Sequence, residues 1–103
     1  MDTLSECINQ AAKDGYVENF KVNDKELVTA NDERRFKPND VGIPNFFRFE
    51  GYSDPEDNAI LYLIEAVDGT MGVLVDSYGS NADPKISSFI RDVQDIKKEE
   101  AEK

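Results

Sequence analysis

Residues Asn58 to Gly79, NAILYLIEAVDGTMGVLVDSYG, constrain the fold more than any other stretch of this chain. Two apolar, β-prone runs flank Asp68-Gly69, a dipeptide that tolerates the positive φ angles of a tight type I′ hairpin turn. A two-residue loop sets Val67 opposite Thr70, Ile64 opposite Val73 and Leu61 opposite Asp76. Side chains then alternate strictly between faces. One face would carry Ile60, Tyr62, Ile64, Ala66, Met71, Val73 and Val75, almost unbroken apolar surface that belongs under helices. The other would carry Leu61, Leu63, Glu65, Leu74 and Asp76, which is mixed.

The elements around the hairpin follow from periodicity and turn chemistry. Thr3 and Glu6 have capping-box spacing, Leu4, Cys7, Ile8, Ala11 and Ala12 fall at helical intervals, and Gly15 supplies a stop. Tyr16 to Val22 alternates as a half-buried strand does; Asn23-Asp24 reads as a turn and Glu26 to Thr29 as a short return strand. From Ala30 to Pro44 the chain is polar, and Pro38, Asn39, Asp40, Gly42 and Pro44 interrupt regular structure. Loops this long in a small domain are usually functional, disordered, or packed as a cover over an otherwise exposed face, and Phe36, Val41 and Ile43 favour the cover. Asn45 to Glu50 is an aromatic strand, and Gly51 to Asp57 a turn-rich acidic connection.

Asp83-Pro84 reads as the N-cap and first residue of a last helix, with Ile86, Phe89, Ile90, Val93 and Ile96 on its apolar stripe. Lys97 to Lys103 carries no apolar anchor and is expected to fray. The expected fold is therefore α+β: a two-layer sandwich with an antiparallel sheet of three to five strands and the N-terminal and C-terminal helices on one face. Residues 1–96 form a single domain and 97–103 a charged tail.

Composition narrows the function classes. The chain has 103 residues, a formal charge of −10 and no histidine. Such acidity opposes nonspecific binding to nucleic acid or anionic membrane. The absence of histidine removes the commonest general base near neutral pH and the commonest zinc ligand. Cys7 is the single cysteine, so no internal disulfide is available, which suits a reducing compartment. Neither a signal peptide nor a ~20-residue apolar span is visible, and the expected location is the cytoplasm.

Asp54, Glu56, Asn58 and Glu65 fall at positions 1, 3, 5 and 12 of a calcium loop, but Ala59 stands where that loop needs glycine and strands flank it. Val73 to Asp76 ends an apolar run in an acid, as ribose-binding phosphoribosyltransferase strands do, but a lone Asp76 is followed by Ser77, Tyr78 and Gly79 without a phosphate loop. No nucleophile–base constellation, Walker loop or dinucleotide fingerprint occurs. No metal, cofactor or catalytic residue is expected.

Residues 46–83 carry a resemblance. RFEG at Arg48–Gly51, SDPED at Ser53–Asp57, ILY at Ile60–Tyr62, DGTMGVLVD at Asp68–Asp76 and YG at Tyr78–Gly79 resemble a family of small, uncharacterised proteins common in Bacteroidetes. Lys37-Pro38 is similar too. Some members carry a phosphoribosylpyrophosphate synthetase label. Those synthetases resemble tandem α/β domains several times longer, with a phosphate loop this chain lacks, so the resemblance implies a fold and leaves function open.

Arg48, Glu50, Asp76 and Tyr78 fall inside the shared segments and are the candidate binding residues. If Phe47 and Phe49 face the core, Arg48 and Glu50 join the mixed face and Arg48 approaches Asp76. The 30–44 loop, a second copy of the chain, or a ligand or partner protein could cover that face. Three functions follow. The first is a non-enzymatic binding or regulatory module that self-associates as a homodimer or takes an unidentified protein partner. The second is a small enzyme or a sugar-phosphate or nucleotide binder using Arg48, Glu50, Asp76 and Tyr78. The third is an acidic decoy for a basic partner.

Overall fold

The computed structural model of the chain describes residues 4–23, 25–31, 34–49, 59–77 and 83–93, together with the backbone of 95–96. Helix α1 spans Leu4–Lys13 and helix α2 Pro84–Asp92. The strands are β1 (Glu18–Asn23), β2 (Glu26–Thr29), β3 (Arg35–Phe36), β4 (Val41–Phe49), β5 (Ala59–Ala66), β6 (Met71–Ser77) and β7 (Asp95–Ile96), with a 3-10 turn at Pro38–Asp40. They form one sheet in the order β3-β2-β1-β6-β5-β4-β7.

The α+β class is as expected, but the sheet is larger than three to five strands and mixed rather than antiparallel. Two pairings make it mixed: β1 runs parallel to β6, and β7 runs parallel to β4. Parallel neighbours cannot be joined by a tight turn, and β7 reaches its place beside β4 only after α2, which follows β6 in the chain. Both outermost strands are two residues long, which limits the exposed sheet edge.

The hairpin loop has three residues, not two. Ala66 N–H donates to Thr70 O at 2.8 Å, and Gly69 N–H donates to Ala66 O at 3.0 Å. Gly69 holds φ 93°, the left-handed position that closes a turn of this length. The extra residue shifts the register, so Leu63 faces Val73, Ile64 faces Gly72 and Ile60 faces Asp76. One residue of slip inverts a strand. Ile60, Tyr62, Ile64 and Ala66 therefore share a face with Leu74 and Asp76, while Leu61, Leu63 and Glu65 share theirs with Met71, Val73 and Val75.

Each face now has its own apolar set, and each receives a helix. Ala11 of α1 packs with Leu61 and Val73, joined by Leu4, Cys7 and Ile8. Ile86, Phe89 and Val93 pack with Ile64, Leu74, Phe20 and Leu27 on the other side. The helices thus lie on opposite faces, which corrects the two-layer expectation. Cys7 sits on the apolar stripe as expected, partly buried.

The α2 side is concave. On a flat sheet β3 and β4 would lie five strand spacings apart, about 24 Å at ~4.8 Å each. Five residue steps from Phe36 to Val41 reach at most about 18 Å, so the sheet must roll up. The roll is fastened at the hairpin tip. Val67 N–H donates to Asp40 O at 2.9 Å. Arg34 Nη1 donates to Thr70 Oγ1 at 2.6 Å and to Asp68 Oδ2 at 3.1 Å. Helix α2 fills the trough, touching both β1 and the 3-10 turn, and Phe89 is 1% exposed.

The expected 30–44 loop is mostly regular structure. Phe36, Val41 and Ile43 belong to the α2-side core instead of covering a separate mixed face. The last helix also ends earlier than its stripe suggests, with Val93 as C-cap, and Ile96 lies in β7. Thr3, Gly51 to Asp57 and Lys97 to Lys103 lie outside the described residues.

Candidate functional site

Of the four candidate binding residues, the sheet brings two to one face. Arg48 faces Ile60, and Ile60 faces Asp76, so the three form one row across β4, β5 and β6 on the α2 side. Ile60 stands between the charges, so Arg48 and Asp76 are two strands apart within that row. Glu50 and Tyr78 lie outside the described residues.

Asp76 is 9% exposed, and its contacts explain why a carboxylate is tolerated there. Its Oδ1 accepts the N–H of Ser77 at 2.8 Å and the N–H of Asp83 at 3.1 Å. Asp83 is the N-cap of α2, and its own Oδ1 accepts the N–H of Lys85 at 2.9 Å. Two carboxylates thus stand in series at a helix N-terminus, where the orphan donors and the helix dipole favour negative charge. Asp83-Pro84 was legible as a cap in the sequence. The role of Asp76 behind it was not, because the contact depends on which face β6 turns to α2.

Tyr62 completes the cluster. It sits on the same face, opposite Phe46 and Leu74, and its ring meets that of Phe46 at a 5.9 Å centroid distance. Burial pushes its hydroxyl pKa up, the Asp76 charge adds to that shift, and the Arg48 charge opposes it. The phenol is therefore held neutral between an anion and a cation. This arrangement fastens the β6 end to α2; it contains a phenol, a guanidinium and a carboxylate already accepting two backbone bonds.

A second concavity lies at the other end of β5. The β4–β5 register shifts between Gly42 and Asn45, and the groove there, about 310 Å³, is lined by Asn39, Gly42, Pro44, Glu65 and Val67 among others. Pro44 was the available signal, since proline within a strand marks a bulge; read as a loop breaker, it concealed the strand instead. Glu65 Oε2 accepts the hydroxyl of Tyr16 at 2.9 Å. Burial first, then that bond and the Glu65 charge, push the Tyr16 pKa up to about 12.

Among the described residues, no group of three or more His, Cys, Asp or Glu side chains is placed to hold a metal ion. No described helix is long and apolar enough to cross a membrane. No family model, curated protein or solved structure matches the chain.

Proposed function

We propose that this chain is a non-enzymatic cytoplasmic binding module that acts as a homodimer. The observation that carries this reading is a row on the α1 side of the sheet. Phe47, Leu61 and Val75 face one another across β4, β5 and β6. Leu61 is fully buried, while Phe47 and Val75 on either side remain 38% and 39% exposed. Partly buried Phe49 and Leu63 extend the apolar surface around them. An exposed aromatic flanked by aliphatic groups is the kind of centre around which protein interfaces form.

The charge of the chain makes the reading specific. Two copies at −10 each repel, so salt that screens their rims should tighten self-association. Sedimentation equilibrium at low and high salt tests this. A species of twice the 11.6 kDa chain mass, more populated at high salt and lost in Phe47→Ser, is the expected result. A monomer throughout the accessible concentration range contradicts it.

Support for a sugar-phosphate or nucleotide site at Arg48, Glu50, Asp76 and Tyr78 is weaker. Asp76, the group that would meet ribose hydroxyls, directs Oδ1 to the α2 cap and is almost fully buried. The reducing compartment is supported by the single cysteine and the absence of any disulfide partner for it within the chain.

A further inference from the structure

We propose that the groove beside the β4 bulge binds the side chain of a lysine or arginine presented by a basic protein segment. This goes beyond self-association, and it concerns the opposite end of β5 from the Phe47–Val75 strip. The groove has the volume and the lining chemistry to take such a side chain. Gly42 pairs directly with Glu65 across β4 and β5, so no side chain opposes the carboxylate from the β4 side, while Met71 is its partner on β6. Pro44 and Val67 provide apolar wall, and Asn39 a neutral polar group. Long cationic side chains bury a methylene stem along such walls and keep the charged head at a polar end.

The carboxylate is already oriented for the task. Tyr16 donates its hydroxyl to Oε2, which draws the Glu65 carboxylate toward it, and no described residue bonds Oε1. A guanidinium or ammonium group would therefore meet a positioned acceptor with one oxygen to spare. The lining contains one acid and no base. The charge of −10 would concentrate cationic partners around the protein and steer them inward.

The test uses the intact chain, isotope-labelled for amide NMR, titrated with the peptide Gly-Arg-Gly and its neutral counterpart Gly-citrulline-Gly. The proposal expects saturable shifts at the amides of Asn39, Gly42 and Val67 with the arginine peptide alone. It expects at least a tenfold loss of affinity in Glu65→Gln and retention in Glu18→Gln, which neutralises an acid outside the groove. Val67→Lys, a change at a 77% exposed position, supplies a competing cation at the rim and should also weaken binding without depending on Glu65. Shifts spread over the acidic surface, or equal affinity in wild type, Glu65→Gln and Val67→Lys, overturn the proposal. Neither result alters the dimer reading, which is scored by sedimentation.

Discussion

Asp76 accepts the backbone N–H of Asp83 at 3.1 Å, and Asp83 in turn accepts the N–H of Lys85 at 2.9 Å. The end of β6 is thereby joined to the first turn of α2 by two carboxylates, and the Asp76 contact explains why this residue is buried while charged.

Removing that contact should cost stability more than its chemistry alone suggests. Asp76→Ala leaves the Ser77 and Asp83 N–H groups without their acceptor and should destabilise the fold by about 1–3 kcal/mol. Asp76→Asn keeps a carbonyl oxygen in place and should cost less. Urea denaturation measures both. In Asp76→Asn the Tyr62 hydroxyl should also titrate at lower pH than in wild type, because one of the two influences raising its pKa is gone while burial remains.

Gly72→Ala tests the parallel β1–β6 contact. A Cβ on Gly72 would overlap the Glu18 carbonyl oxygen and come within 2.7 Å of Phe20 Cε2. The aromatic ring could shift, but the Glu18 backbone is held in the ladder opposite Gly72. A loss of about 1–3 kcal/mol or more is expected in chemical denaturation. A neutral substitution would mean that β1 does not cross β6 there.

Gly69→Ala isolates the turn. Nothing lies within 4 Å of the added Cβ, so any cost comes from the φ of 93° alone. About 1 kcal/mol is expected, with the sheet register unchanged. Thermal unfolding and backbone chemical shifts report the two parts separately.

Tyr16 gives a pH dependence with a definite sign. Its folded pKa is raised from 10.0 to about 12, first by burial and then by Glu65. The neutral phenol therefore contributes stability that is complete below pH 10 and is lost as pH rises toward 12. Ultraviolet titration of wild type against Tyr16→Phe should show the Tyr16 phenolate forming near pH 12. In Glu65→Gln its midpoint should fall but stay above 10, since burial, the first cause, remains.

The sequence made local features legible and left the pairing of distant ones hidden. Asp83 as a cap, Pro84 as first helical residue, Gly15 as a stop and the Glu26–Thr29 return strand all depend on neighbours within a few residues. The faces failed on a single residue: Asp68-Gly69 suits a two-residue loop, yet Val67 also enters the turn, and that inverted β6 relative to β5. Phe36 and Val41 are visibly apolar, but their place in the α2-side core is hidden because the rolling of the sheet depends on where β3 lies relative to β4. Ile96 fits the helical stripe by spacing, while Val93 already caps the helix. For the candidate residues, Arg48 and Asp76 do share a face, with Ile60 interposed.

The dimer reading is tested most directly by isotope-filtered NOE spectra on a mixture of labelled and unlabelled chains. Intermolecular cross-peaks between the Phe47 ring and the Val75 methyls are the predicted result. Cross-peaks confined to other surfaces, or none under conditions where sedimentation shows two chains together, would contradict it.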